Sequence, residues 1–141
     1  MRLRDEWNSE TMQTKKRNAA SLLLKETPNE GTNVADVLDF FETVAVFMNR
    51  KLVDPYLAWH FFYWWMVHFY AAAATYIRAR RELEGTKQWA DLIEAVPKLL
   101  EIEGRPHNPP TAGDVLVFLR DESEPEPPTP APYATAGGVP Q

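Results

Sequence analysis

The chain has 141 residues, a net charge of −5 and no cysteine. That length has room for one domain. The acidic balance and the lack of a basic patch with interleaved aromatics argue against a general nucleic-acid binder, and without cysteine there is no disulfide framework, thiol nucleophile or Cys-ligated metal.

The opening, MRLRDEWNSE, has no apolar h-region and is not read as a secretory signal. The spacing predicts a first helix from about Asn8 to Lys25, with its apolar side concentrated late, at Ala19, Ala20 and Leu22–Leu24. The basic run 15–17 reads as solvated helix surface, with contact to an acidic lipid surface as the alternative.

Thr27-Pro28-Asn29-Glu30-Gly31 reads as a loop. Thr32 or Asn33 then caps a second helix. Val34, Val37, Leu38, Phe41, Val44, Ala45 and Met48 form its apolar face, and Asp36, Asp39, Thr43 and Arg50 the other. Phe40 and Phe47 fall near the edge of the polar face, as side contacts to a neighbour. Leu52 and Val53 form a short join, so the second and third helices are expected as antiparallel neighbours. Glu42 then lies level with His60 to Trp64, where its carboxylate needs a Tyr hydroxyl, Trp N–H or His as partner.

The dominant stretch runs from Pro55 to Ile77 without a single Asp, Glu, Lys or Arg. Asp54-Pro55 is a helix start: the carboxylate accepts an orphan N–H, and proline at the first position forfeits no needed donor. One helix from about Pro55 to Glu84 is predicted, closed by Arg78, Arg80, Arg81 and Gly85. Phe61, Phe62, Trp65, Phe69, Ala72, Tyr76 and Leu83 share one face. Tyr56, His60, Tyr63, Tyr70, Arg78 and Arg81 share the opposite one. A helix apolar on nearly all sides is a central core helix or a membrane span. The polar tips and the two histidines favour the core helix, since ionisable groups are costly in hydrocarbon.

Thr86 is the expected cap of a further helix through 87–103, kinked or split at Pro97. From Gly104 the chain turns proline-rich and acidic, which predicts a largely disordered tail over 104–141 beyond a helical domain at 1–103. One apolar island, 114–120, interrupts the tail. It reads either as a segment that packs back on its own domain or as a strand or docking segment.

Asp39-Phe40-Phe41-Glu42, the short turn to Asp54, the aromatic helix ending in Arg78 to Arg81, and Trp89 in KQWADL together resemble the DUF4760 family of small helical domains, over about Ser21 to Leu100. The resemblance implies a soluble helical domain, in some members attached to a separate membrane helix, and it implies no reaction. This chain departs from it by lacking an N-terminal anchor and by its unusually aromatic long helix.

Catalytic patterns are missing: no G-x-S-x-G, Walker A or Rossmann glycine pattern occurs. His60 and His68 are eight apart, where a chelating helical pair wants four, and His107 sits in the proline-rich tail, so no metal and no cofactor is expected. The expected protein is therefore an all-α bundle of three to four helices around one long aromatic helix. Its expected role is a non-enzymatic, cytoplasmic interaction or scaffold module that binds a protein partner or itself. The candidate interaction side chains are Trp59, Trp64, Phe40, Phe47 and Phe118, with Glu42 and Asp54 as structural polar groups. The alternative is a single-span accessory subunit of a membrane complex crossing at about 55–77; a helical small-molecule binder with an aromatic pocket is the third reading.

Overall fold

The computed structural model describes residues 2–29, 31–104 and 108–124. Among them every regular element is an α-helix: α1 (Arg2–Trp7), α2 (Glu10–Leu24), α3 (Asn33–Asn49), α4 (Pro55–Ala72), α5 (Ala74–Glu84), α6 (Ala90–Ile102) and α7 (Ala112–Ser123). The all-α architecture stands, with seven helices in place of three to four.

Three differences change the elements expected from the sequence. The chain before Asn8 is not a polar lead-in. Leu3 and Trp7, one helical turn apart, bury themselves from α1, and Ser9 then starts α2 by accepting the Met12 N–H. The long helix is interrupted at Ala73, whose dihedrals leave the helical range, although bonds from Ala73 N–H to Phe69 and from Ile77 N–H to Ala73 carry the axis across. Beyond the break only Tyr76 and Ile77 of α5 are buried, so Leu83, expected on the covered face, lies in solvent. The third difference is at α6, which starts at Ala90 rather than after Thr86, because Trp89 adopts a left-handed conformation (φ 53°). It then runs unbroken through Pro97. That proline is on the exposed face, where water can serve the carbonyl left without a donor.

Asp54 accepts the Tyr56 N–H at the start of α4, with Pro55 in the first helical position. From there α3 and α4 pack together, Phe40 meeting Phe62 edge to face at 5.7 Å. Helix α6 covers both, and α7 closes the bundle by packing chiefly on α2 and secondarily on α4. The apolar island is thus a helix seated on its own domain, not a strand. The proline-rich stretch from residue 125 on lies outside the described residues.

Among the described residues no helix is long and apolar enough to cross a membrane. This removes the single-span alternative at 55–77. Trp, Tyr and His dilute the hydropathy of α4, although it carries no Asp, Glu, Lys or Arg.

The polar side of α3 holds α6 in place. Trp89 offers no side-chain cap, so Glu42 supplies one from the neighbouring helix. Its carboxylate accepts the Leu92 N–H at 2.8 Å and the Asp91 N–H at 3.4 Å. One turn earlier, the Trp89 indole N–H donates to Asp39 at 2.9 Å. Farther along, the Asn49 amide donates to the Asp91 carbonyl and carboxylate, and Lys98 donates to Asn49. The partner of Glu42 is thus the backbone of α6, not the aromatic side chains of α4.

Burial pushes the Glu42 carboxyl above its ordinary value of 4.5, and the two backbone N–H bonds oppose that rise. A carboxyl raised in the folded state binds its proton more tightly there than in the unfolded chain. The stability this adds is full below 4.5 and is lost as pH rises through the raised value. Glu42→Ala strands two helix-end donors and is expected to cost about 1–2 kcal/mol in urea unfolding at pH 7. Glu42→Gln keeps an acceptor and loses less. The stability of the wild type relative to Glu42→Gln is expected to fall as pH rises above 4.5 and then level off.

Candidate interaction groove

The aromatic side chains form a chain of contacts through the bundle. Trp7 lies at the centre, 5.3 Å from Phe40, 5.1 Å from Phe41 and 5.4 Å from Trp65. Phe41 leads to Phe69, and Phe69 meets Phe118 of α7 at 5.0 Å in an edge contact. Phe118 in turn stacks on His68 at 5.0 Å, and His68 lies 4.0 Å from Trp64. The chain starts in the core and ends at Trp64, which is 53% exposed.

That end opens into a groove of about 760 Å³ between α4, the 108–111 segment and α7. Trp64, His68 and Phe118 line it on the aromatic side, and Glu103, Asp121 and Glu122 are among its acidic residues. Helical spacing places Trp64 and His68 one turn apart on α4. Helix α7 is set in register by a capping box, in which Thr111 accepts the Asp114 N–H and Asp114 accepts the Thr111 N–H.

His68 is buried, 6% exposed, and its Nδ1 lies 2.7 Å from the Trp64 carbonyl oxygen. A carbonyl can only accept, so Nδ1 carries a proton, and whenever the ring is neutral Nε2 presents a lone pair.

Beside the groove, α2 and α7 are tied by Lys16. Its ammonium lies 5.8 Å from the ring centroids of both Trp7 and Trp65 and 3.0 Å from Glu122 Oε1. No directed hydrogen bond forms to that oxygen, so the contact is an ion pair, and the indole N–H groups of Trp7 and Trp65 are buried without acceptors. The basic run is therefore not simply solvated surface: Lys16 is 14% exposed, and Lys15 pairs with Asp36 at 3.5 Å.

Only some of the candidate interaction residues come together. Trp64 and Phe118 share the groove, but Phe118 is buried under α4 and α2 packing. Phe40 is buried against Trp7 and Phe62. Phe47 is half-buried at the end of α3, where its carbonyl accepts the Leu52 and Val53 N–H groups. The Trp59 indole donates to Glu103 at 2.9 Å, on the groove's margin. Among the described residues no group of His, Asp and Glu is placed to hold a metal ion. His60 is exposed on α4, and His107 lies outside the described residues.

Sequence reasoning missed Trp7, Lys16, His68 and Asp121. Two signals were available: the four-residue spacing of Leu3 and Trp7, and the Thr111-x-x-Asp114 box ahead of an apolar run.

A family model described as "Domain of unknown function (DUF4760)" matches residues 2–96. The chain belongs to the DUF4760 family. The matched region holds α1 to α5 and the first half of α6, including Trp7 and the Glu42 cap, and it begins well before the resemblance over 21–100. Helix α7 lies beyond it. One wall of the groove therefore lies within the matched region and the other beyond it. No curated protein and no solved structure matches the chain.

Replacing Lys16 by Met is expected to strand Glu122 in a site where it is only 17% exposed. The cost falls between the fraction of a kcal/mol of an exposed pair and the roughly 3–5 kcal/mol of a fully buried one, at about 2 kcal/mol. Native-state hydrogen exchange is expected to show that loss first at α7 amides. Adding Glu122→Gln to the Lys16→Met variant is expected to restore part of the protection.

Proposed function

We propose that this chain is a non-enzymatic interaction module whose docking surface is the groove between α4 and α7. The observation that carries the reading is Trp64. In a bundle that buries Trp7, Phe62, Phe69 and Phe118, this indole stays half exposed on the wall of the groove. Aromatic side chains held rigid by their neighbours are favoured contact residues, because little rotamer freedom is lost on binding. The His68 ring, tilted against it at 4.0 Å, holds Trp64 in that way. The groove contains acceptors and apolar surface, with no pairing of a nucleophile with a base among its described residues, which supports binding over turnover.

Selection of short peptides from a random display library on the full chain tests this. Enriched sequences are expected to share a motif and to lose about tenfold or more in affinity on Trp64→Ala, in keeping with an interface anchor. A library that yields no shared motif, or binders indifferent to Trp64→Ala, would sink the reading.

A second apolar patch favours self-association as a separate reading. Leu52, Tyr56 and Leu57 are exposed together around the start of α4. Sedimentation equilibrium is expected to detect a dimer at high concentration that Leu57→Glu dissociates. A monomer throughout would remove it.

A further inference from the structure

We infer that the occupant of the α4–α7 groove is a basic segment of a partner protein, with a lysine or arginine side chain laid over Trp64 and its N–H groups directed to His68 Nε2 and the Asp121 carboxylate. The inference rests on the docking reading above and adds the chemistry of the ligand.

Charge comes first. The described lining holds Glu103, Asp114, Asp121 and Glu122 and no Lys or Arg. Three of these carboxylates have internal duties: Glu103 accepts from Trp59, Asp114 caps α7, and Glu122 pairs with Lys16. Asp121 is exposed and directly precedes Glu122, so it is the carboxylate best placed to meet an incoming cation.

The second observation is independent of charge. His68 is buried, yet it lines the groove, and with Nδ1 committed to the Trp64 carbonyl the neutral form of the ring offers Nε2 as an acceptor. An acceptor on a groove wall suits a donor from the occupant. Trp64 adds an exposed π face, and tryptophan is the side chain that attracts a cation most strongly. All three features ask for a group that is positively charged and rich in N–H donors.

The source follows from size and from the chain itself. A groove of about 760 Å³ is far larger than one side chain and open to a passing polypeptide. The sequence that follows α7, residues 124–141, carries Glu124 and Glu126 and no Lys, Arg or His, so its charge is wrong for the site. A basic segment from another protein has the complementary sign.

The test uses the full chain and two labelled, end-blocked peptides of equal length, one alternating Lys with Leu and the other with Gln in place of each Lys. By fluorescence anisotropy the Lys peptide is expected to bind at least roughly tenfold more tightly, and more weakly as salt rises. Asp121→Lys is expected to weaken it about tenfold, while Glu82→Lys, the same charge change at an exposed position on α5, shifts it less than about twofold. Circular dichroism confirms that both variants fold. Equal affinity for the two peptides, or equal losses in the two variants, overturns the basic occupant; the groove itself survives that result if Trp64→Ala still weakens both peptides. Binding that ignores Trp64→Ala overturns both readings, as does no binding of either peptide at millimolar concentration. Displacement of the Lys peptide by an equal concentration of lysine amide overturns the partner segment in favour of a small organic cation.

Discussion

Helix α4 is apolar around nearly its whole circumference, and the rest of the fold answers that constraint. A helix of this kind in water must be covered on every side. The neighbours available are short, so no single one suffices: α3 covers Phe62 and Phe69, α6 takes another flank, and α7 covers the line from His68 to Phe69. Trp7 reaches Trp65 from an N-terminal helix of only six residues. The coating stops short at Trp64 and at Tyr56 and Leu57. The candidate surfaces are thus the places where covering one aromatic helix with short helices runs out.

Covering helices must also be oriented, and in α6 this is done by polar groups. A left-handed Trp89 removes the usual cap position and turns the indole inward, where it bonds to Asp39 and packs 5.9 Å from Tyr76. Glu42, one turn on, takes over the orphan N–H groups. The two acids of one motif, Asp39 and Glu42, therefore fix the start of a helix about fifty residues later. Placing a carboxylate there is resisted by burial and favoured by the backbone donors, and burial has the larger effect on its proton affinity.

The sequence showed the helical class, the extents of α3 and the start of α4 through apolar spacing and the Asp54-Pro55 signal, all of which are local. What stayed hidden depends on contacts between distant segments. Glu42 could be seen to need a donor, but no local pattern says that the donor is the backbone of α6. Lys16 sits in a basic run that looks solvated until two indoles and Glu122 close over it. Phe40 and Phe118 looked available for partners, yet each is consumed by the chain's own core. The break at Ala73 falls in a run of four alanines, residues with high helix propensity, and nothing local marks it. Trp64 was legible as exposed aromatic surface, but its setting beside a buried imidazole acceptor and an acidic helix required α7 to be in place.

The position of α7 beyond the DUF4760 region also has a consequence in time. Synthesis proceeds from the N-terminus, and domains generally fold as they emerge, at about 5–20 residues per second. The region matched by the family model is complete at residue 96, whereas the helix that shelters Phe69 and His68 ends at residue 123. For roughly 1–5 seconds the nascent bundle therefore carries a bare aromatic flank and a Lys16 without its carboxylate. During that interval the faces of α2 and α4 that α7 later covers are open to aggregation.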